Sequence, residues 1–321
     1  MAIKQIGVIG GAGFVGSSIV RKLDAAGYRV KVLTRHRERA KNLILLPHVQ
    51  VVTCDLNDDK ALATCLAGCD AVINLVGILH ESRRHTFEYA HHQLPRKIAK
   101  ICSELGIKRL LHMSALKASK DAPSHYLQSK AKGEAALAQF KKSVDITIFK
   151  PSVIFGRGDN FLNLFSTLIK YLPTIFLAKP AAKFQPIWVE DIATIFMNSL
   201  GNEDTFSKSY ALAGPEIYTL RTLVEKVMHI MGKEKPIIGL SDKLSYLQAW
   251  FMEWLPIKLM TRDNVRSMEV DSVMGKPMLD EVNIALTPLD AVMQEYILNQ
   301  TPRAAYDRFR TAAGRAINAR R

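Results

Sequence analysis

The chain has 321 residues, of which 48% are apolar, so it can bury one large core or a main domain with a smaller one attached. The charged fraction of 23% is that of ordinary globular proteins and excludes a disordered or low-complexity chain. The formal net charge of +14 is unusual. It indicates an anionic partner (a phosphorylated ligand, an anionic membrane surface or nucleic acid) or a basic surface that favours solubility.

No feature of the sequence indicates secretion, a membrane-spanning helix or a metal site. The first residues, MAIKQIGVIGG, lack the apolar segment of a signal peptide, and no run of about 20 uncharged apolar residues follows. The four cysteines form no C-x-x-C pair and do not stand at zinc spacing with histidines. We therefore expect a cytoplasmic protein with reduced thiols, no transmembrane helix and no metal.

Short apolar runs alternate with helical patterns in the first half of the chain. Six runs are nearly continuous in apolar and β-branched residues, at 5–10, 29–35, 49–55, 71–77, 109–115 and 145–152. Such runs are typical of strands that are covered on both faces of a sheet. Helical patterns lie between several of them, for example at 17–27 and 93–106. The alternation predicts an α/β fold of Rossmann type, with a doubly wound parallel sheet.

The first run leads into a glycine-rich loop, GGAGFVG, with Gly10, Gly13 and Gly16 at equal spacing. Gly10 lets the chain turn sharply, Gly13 lets a pyrophosphate approach the backbone, and Gly16 lets the next helix pack closely on the sheet. That helix begins near Phe14 and Val15, where free N–H groups attract phosphates. The loop follows a strand and opens a helix, which is the context that a dinucleotide site requires.

The end of the second strand bears on which nicotinamide dinucleotide binds. A carboxylate there would bind the ribose hydroxyls of NAD(H), whereas this chain offers Thr34, Arg35 and Arg39. Guanidinium groups favour a 2′-phosphate, so we predict that NADP(H) is preferred over NAD(H). The alternative is that these arginines are only the exposed start of a helix.

Two later strand ends complete the predicted cofactor edge. Asp55 and Leu56 follow the third strand, where an adenine edge can be held. Leu75, Val76 and Gly77 follow the fourth strand. Because the carboxyl ends of parallel strands meet at one edge of the sheet, these residues should line the same groove as the glycine loop.

Together these motifs resemble the short-chain dehydrogenase/reductase superfamily, in its extended or atypical branch of NAD-dependent epimerase/dehydratase-like proteins. Besides the glycine loop, the resemblance rests on GIKRLLHMSA (106–115), KPSVIFGRGD (150–159) and FQPIWVEDIA (184–193). It implies that Met113 lies beside the cofactor. It also implies that Pro151, Val153 and Ile154 supply backbone contacts to the nicotinamide.

A narrower resemblance spans nearly the whole chain. Residues 111–134, 184–193 and 261–273 are similar to the bacterial relatives of the short-chain-dehydrogenase-like accessory subunit of respiratory complex I, NADH:ubiquinone oxidoreductase. In the mitochondrial complex that subunit binds NADPH and is regarded as structural. The resemblance implies a respiratory-complex protein partner and a peripheral position on the cytoplasmic face of the inner membrane.

The superfamily resemblance identifies Tyr126 and Lys130 as the candidate catalytic pair, with Lys130 also binding the nicotinamide ribose. Four positions apart on a helix, they are neighbours. An ammonium about 4 Å away contributes roughly 4 kcal/mol, which would bring the tyrosine pKa from about 10 toward neutrality. The substrate-orienting hydroxyl is less clear, because Ser114 is a candidate while the catalytic position falls more naturally on Ala115. Nearby His91 is interpreted as a packing residue.

We assign residues 1–156 to an NADP(H)-binding domain, completed by 186–201, and residues 157–185 and 202–300 to a smaller substrate-side or partner domain. Within the latter, 209–232 predicts a strand, a turn and a helix capped by Thr219.

Two segments of the second half suggest surfaces for partners. Tyr246, Trp250 and Trp254 form an aromatic stripe on one helix, which fits a core, a pocket cover, a partner site or a membrane interface. The tail, 301–321, is a basic amphipathic segment suited to anionic lipid or acidic protein. No nucleic acid is expected, because no recognised binding module accompanies the charge.

The leading hypothesis is an NADP(H)-binding, membrane-peripheral member of the complex I accessory-subunit type with weak or no catalysis. The first alternative is an active NADPH-dependent reductase or epimerase acting on an apolar substrate that is isoprenoid, quinone-like or steroid-like. The second is an NADPH-sensing regulator that binds a protein partner.

Overall fold

A computed structural model describes residues 3–82, 85–255, 259–274 and 284–298. Its strands are β1 (Gln5–Ile9), β2 (Arg29–Thr34), β3 (Val49–Thr53), β4 (Ala71–Asn74), β5 (Arg109–Met113), β6 (Asp145–Pro151), β7 (Ile154–Phe155), β8 (Ile175–Leu177), β9 (Lys183–Phe184), β10 (Ile187–Trp188), β11 (Ser209–Leu212), β12 (Tyr218–Thr219) and β13 (Ile237–Gly239). The predicted basic tail lies outside the described residues.

Its α-helices are α1 (Phe14–Ala25), α2 (Asp59–Leu66), α3 (Leu94–Glu104), α4 (His125–Ala138), α5 (Leu162–Tyr171), α6 (Val189–Ser199), α7 (Leu220–Ile230), α8 (Asp242–Met252), α9 (Arg262–Ser267) and α10 (Leu289–Ile297). A π-helical turn, Glu88–Gln93, leads directly into α3, and short 3₁₀ turns occupy Arg37–Ala40 and Glu203–Thr205.

Seven parallel strands form the main sheet, in the order β3-β2-β1-β4-β5-β6-β11. The prediction of a doubly wound parallel sheet is confirmed, and the six predicted first-half runs each contain one of its strands. The strand order reverses between β1 and β4, so the crevice at their carboxyl ends is where a ligand binds in folds of this kind. The predicted cap is also confirmed, because Thr219 Oγ1 accepts a hydrogen bond from the backbone N–H of Thr222 at the start of α7 (3.1 Å).

Three apolar clusters hold the molecule together. One sheet face packs on α1 and α6 through residues such as Leu23 and Phe196, and the other packs on α2 and α3 through residues such as Leu66 and Ile98. A third cluster joins α5, α7 and α10 around Leu223. Most of it lies in the part of the chain assigned to the smaller domain, whose boundaries stay a prediction.

A buried arginine, Arg109, ties the start of β5 to the end of α6. Its guanidinium donates to the carbonyl oxygens of Ser199 (2.6 Å), Leu200 (3.2 Å) and Asp145 (3.1 Å), and to the hydroxyls of Thr147 and Thr205 (both 2.8 Å). Burial lowers the pKa of Arg109 to about 10. The side chain is 3% exposed, so its five partners depend on it rather than on water.

Replacing Arg109 by methionine should lower the free energy of unfolding by about 3 kcal/mol, because buried carbonyl oxygens lose their donor. Urea denaturation measures this change. Arg29→Met is the matched control, since Arg29 is also the first residue of a central strand but is exposed. Equal and small effects of the two substitutions would show that the Arg109 network does not stabilise the fold.

Candidate functional site

In the glycine loop after β1, the start of α1 lies very close to Gly10, and Gly10 lies close to the segment after β4. Gly10 has a φ of +84°, and its carbonyl oxygen accepts a hydrogen bond from the Gly13 N–H (3.0 Å). A Cβ on Gly16 would lie 2.3 Å from the Gly10 oxygen, and a Cβ on Gly10 would lie 3.2 Å from the Leu75 carbonyl carbon. Helix α1 therefore begins directly against the loop, at Phe14, with its amino end facing the groove.

The predicted ribose-binding residues follow β2 in a short turn. The hydroxyl of Thr34 accepts from the His36 N–H (3.2 Å), which ends the strand. Arg35 donates to Nε2 of His85 across the groove (3.4 Å), and Arg39 lies in the 3₁₀ turn that starts at Arg37. The structure thus places Arg35 and Arg39 at the same sheet edge as the glycine loop.

The segment after β3 is hydrogen-bonded to the π-helical turn and to α3, which follow β4. The Leu56 carbonyl oxygen accepts from the Tyr89 hydroxyl (2.7 Å) and from the Lys97 ammonium (3.2 Å). Asp55 accepts from the backbone N–H of Asn57 (3.0 Å), which closes the turn. Asp55 and Leu56 are therefore held where an adenine would approach, although that contact stays a prediction.

Lys130 brings three parts of the predicted site together. Its ammonium is buried and donates to the carbonyl oxygen of Met113, at the end of β5 (3.3 Å). A Cβ on Gly77 would lie 3.1 Å from the ammonium nitrogen, so Lys130 also lies against the segment after β4. The ends of β4 and β5 and the first turns of α4 therefore meet at this lysine.

Tyr126 lies one turn before Lys130, and its half-buried ring meets two aromatic rings edge-on. The ring centroids of His91 and Phe87 are 5.5 Å and 6.1 Å away. Burial raises the pKa of Tyr126 to about 12 and lowers the pKa of Lys130 to about 8, with the Glu134 carboxylate partly opposing the second effect. The expectation that the lysine brings the tyrosine pKa toward neutrality is therefore wrong for this chain. Desolvation favours the uncharged form of both groups.

The hydroxyl of Ser114 is directed to a carboxylate. It donates to Glu134 Oε1 (2.5 Å), and the other oxygen of Glu134 forms an ion pair with Lys150 (2.6 Å). The next residue, Ala115, is buried in a small cluster against which Tyr126 packs. The position beside the tyrosine thus carries a methyl group, while the neighbouring hydroxyl already has an acceptor.

His91 links the π-helical turn to both α4 and the segment after β4. Its Nδ1 lies 2.8 Å from the Ser129 hydroxyl, which donates to the Tyr126 carbonyl oxygen, and its Nε2 accepts from the Ile78 N–H (3.0 Å). These partners assign the proton to Nδ1. Burial lowers the pKa of His91 to about 2, so the ring stays neutral. The contacts fit the packing role interpreted from sequence.

Sequence reasoning missed how residues 261–267 reach the site. The Asp263 carboxylate accepts the backbone N–H groups of His125 (2.8 Å) and Tyr126 (2.9 Å), which are the first two residues of α4. The Asn264 amide donates to the Leu79 carbonyl oxygen (3.4 Å). A capping box between Thr261 and Asn264 starts α9 and fixes the side chains of these two residues. Local spacing reveals the capping box but not its distant partners.

Residues 151–154 lie at the end of β6, beside the same groove. The Pro151 carbonyl oxygen accepts from the Leu116 N–H (2.8 Å), and the Val153 carbonyl oxygen accepts from the Ile187 N–H (3.0 Å). Ile154 begins β7. These bonds fix the backbone that is expected to face a nicotinamide, and the contact itself stays a prediction.

The described part of the chain forms neither a membrane-spanning helix nor a metal-binding cluster. Within it, no helix is both long enough and apolar enough to cross a membrane. No group of three or more histidine, cysteine, aspartate or glutamate side chains there could hold a metal ion.

Comparison with known proteins agrees with this geometry. A family model described as NAD(P)H-binding matches residues 10–158. The chain is 34% identical over 238 residues to the mitochondrial NADH dehydrogenase [ubiquinone] 1 alpha subcomplex subunit 9 of Arabidopsis thaliana, a match covering 71% of this chain but only 58% of that relative. It is 30% identical over 304 residues to the protein of the same name from Rattus norvegicus, covering 88% of this chain and 77% of the relative.

Among solved structures, the chain is similar to the Escherichia coli NADPH-dependent quinone oxidoreductase QOR2 complexed with NADPH. The TM-score is 0.72 at 18% identity, over 92% of this chain and 99% of that one. At this identity the likeness shows the fold alone.

The buried lysine makes the stability of the protein depend on pH. Because the pKa of Lys130 falls from 10.5 to about 8 on folding, protonated Lys130 destabilises the native state below pH 8. This cost, about 3 kcal/mol, disappears as the pH rises from 8 to 10.5. Lys130→Met lacks this cost, so at pH 7 its free energy of unfolding gains relative to that of the wild type. This relative gain should disappear, a change of about 3 kcal/mol, between pH 7 and pH 10.5. A pH-independent difference in urea denaturation would contradict it, and Lys132→Met, on the exposed side of α4, is the control.

Proposed function

The chain belongs to the family of the mitochondrial NADH dehydrogenase [ubiquinone] 1 alpha subcomplex subunit 9, and on that premise we propose that it holds NADP(H) as a structural cofactor. It would turn over slowly or not at all, and would lie at a membrane surface beside a respiratory-complex partner. One observation carries the proposal: Ala115 is the residue packed beside Tyr126, while the neighbouring Ser114 hydroxyl donates to Glu134.

The charges after β2 support NADP(H) over NAD(H). Arg35 and Arg39 stand where a carboxylate would bind the ribose hydroxyls of NAD(H). The acidic residue between them in sequence, Glu38, forms an ion pair with Lys41 (2.7 Å). Among the described residues Arg39 has no acidic partner, so it is available to a phosphate.

Weak catalysis follows from the groups around Tyr126. A tyrosine with a pKa near 12 is a weak acid at neutral pH and transfers its proton poorly. The Ser114 hydroxyl donates to Glu134, so it is not directed toward a substrate oxygen as a second donor. Loss of one such donor costs about 10²- to 10³-fold in rate.

A second candidate function is favoured by the retained pair of Tyr126 and Lys130. Lys130 still contacts the strand end where a nicotinamide is expected, and Tyr126 is only half-buried. This arrangement supports an NADPH-dependent reductase or epimerase acting on an apolar substrate. The two functions share the cofactor and differ in turnover.

Calorimetric titration of the purified protein should give a dissociation constant for NADPH at least about tenfold lower than for NADH, because a 2′-phosphate gains charge-assisted hydrogen bonds. Arg39→Gln should remove most of this preference. Arg37→Gln, on the same 3₁₀ turn, serves as the control. Equal affinities of the wild type for both dinucleotides would contradict the NADP(H) assignment.

The same preparations separate the two candidate functions. With NADPH and a short-chain quinone or an aromatic aldehyde, the structural function predicts that oxidation of NADPH by the wild type is no faster than by Tyr126→Phe. A rate that is present in the wild type and lost in Tyr126→Phe, with NADPH affinity unchanged, would favour the enzyme.

The aromatic stripe along α8 and the turn that follows it supports the membrane-peripheral part of the proposal. Trp250 and Trp254 are 43% and 76% exposed, and their rings meet edge-on at 6.1 Å. Leu247 and Phe251 beside them are exposed as well, so the core interpretation is wrong for this part of the stripe. Only Tyr246 is packed, with its hydroxyl accepting from Arg266 (2.9 Å). Exposed tryptophans on a basic protein are suited to the headgroup region of an anionic bilayer.

The double substitution Trp250→Ser and Trp254→Ser should lower binding to vesicles of phosphatidylglycerol and phosphatidylethanolamine at least about tenfold, because two interfacial rings are lost. Cosedimentation measures the bound fraction. Leu45→Ser is the control, since Leu45 is 87% exposed and lies between β2 and β3, outside the aromatic stripe. Unchanged sedimentation of the double variant would contradict a membrane contact through α8.

A further inference from the structure

A cavity of about 210 Å³ opens between the start of α1 and the turn that precedes α5. Its wall includes the amino end of α1 at Gly13 and Phe14, and three arginines, Arg21, Arg39 and Arg157. Its lining, among the residues that the structure describes, includes no acidic side chain. Three guanidinium groups around one space repel each other unless an anion lies between them.

The charges of these arginines are only partly compensated. Arg21 donates to the Ser18 hydroxyl (3.1 Å) and has a carboxylate oxygen of Glu190 at 4.0 Å. Arg39 and Arg157 have no acidic partner among residues that the structure describes. The cavity therefore has an excess of positive charge, to which the amino end of α1 adds.

The turn that carries Arg157 is built firmly. Gly156 and Gly158 have φ values of +149° and +90°, which favour glycine. The buried Asp159 carboxylate accepts the backbone N–H groups of Gly156 (3.1 Å), Phe161 (2.8 Å) and Leu162 (2.7 Å). Its oxygens are thus engaged by the backbone, and the turn holds Arg157 at the cavity.

We propose that this cavity receives the 2′-phosphate of NADP(H), and that Arg157 is a specificity-determining residue for it. The inference rests on the proposed NADP(H) function and adds a residue from outside the dinucleotide motif. Arg39 and Asn42, which also line the cavity, come from the segment after β2, and the end of this strand lies beside the adenosine ribose in folds of this kind. A phosphate monoester carries nearly two negative charges at pH 7 and accepts bidentate bonds from guanidinium groups.

Arg157→Gln should weaken NADPH binding by about 10- to 100-fold, the effect of losing hydrogen bonds between two charged groups. NADH binding should change by less than about twofold, because that dinucleotide has no phosphate for the cavity. Calorimetric titration measures both affinities. Arg29→Gln is the matched control, because Arg29 is an exposed arginine that does not line the cavity. Arg157→Lys should restore part of the NADPH affinity, since a single charge remains without the bidentate geometry.

The outcomes separate this inference from the proposed function. A wild type that prefers NADPH, with the preference kept in Arg157→Gln, would overturn the inference and leave the function standing. If Arg157→Gln loses affinity for NADPH and NADH equally, Arg157 binds the diphosphate that both share, and the 2′-phosphate assignment is overturned. A wild type that binds neither dinucleotide would overturn both. Unfolding midpoints of each variant, measured without nucleotide, show whether a loss of affinity comes from misfolding.

Discussion

The contact between the first turn of α1 and the glycine loop is the constraint on which the rest of the site depends. With a Cβ on Gly16 only 2.3 Å from the Gly10 oxygen, any other residue there would force α1 away from β1. The close approach sets α1 on the sheet and presents its amino end to the groove. It also places the segment after β4 beside the loop, and Lys130 then meets that segment from the other side. The contacts of the loop and of Lys130 thus hold together the strand ends at which the phosphates and the nicotinamide are expected.

Burial, rather than attraction between charged groups, sets the electrostatics of the catalytic side. Lys130 and His91 both have lowered pKa values because they are enclosed by strand ends and by the π-helical turn, and the pKa of Tyr126 is raised for the same reason. A pair that is active in related folds is here biased toward its uncharged forms. The cavity beside α1 is the opposite case, because three guanidinium groups line it and their charges are only partly compensated. This contrast is what the proposed structural function rests on: burial opposes ionisation at Tyr126, while positive charge remains at the cavity.

The sequence predicts those features that local pattern determines. Buried parallel strands produce continuous apolar runs, a dinucleotide loop requires spaced glycines, and a helix start needs a cap such as Thr219. Features that depend on tertiary distance were missed. Asp263 caps a helix 137 positions earlier, and Arg157 meets α1 through a turn that no spacing rule predicts. The stripe around Trp250 has a pattern that fits both a core and an open surface, so only packing could decide between them. The wrong expectation for the pKa of Tyr126 has a similar origin. The spacing of Tyr126 and Lys130 can be read from the sequence, whereas the burial that raises the pKa of Tyr126 depends on tertiary packing.

The hydrogen bonds from Asp263 to the start of α4 bear on how the molecule can be divided. The family model covers residues 10–158, which suggests a separable nucleotide-binding module. Yet the amino end of the helix that carries Tyr126 is closed by a carboxylate supplied about one hundred residues beyond that range. A fragment ending at residue 158 would leave two amide groups of α4 to solvent and would lose α6 from one side of the sheet. The helix that carries Tyr126 is therefore completed by a side chain from the last third of the chain, outside the range that the family model matches.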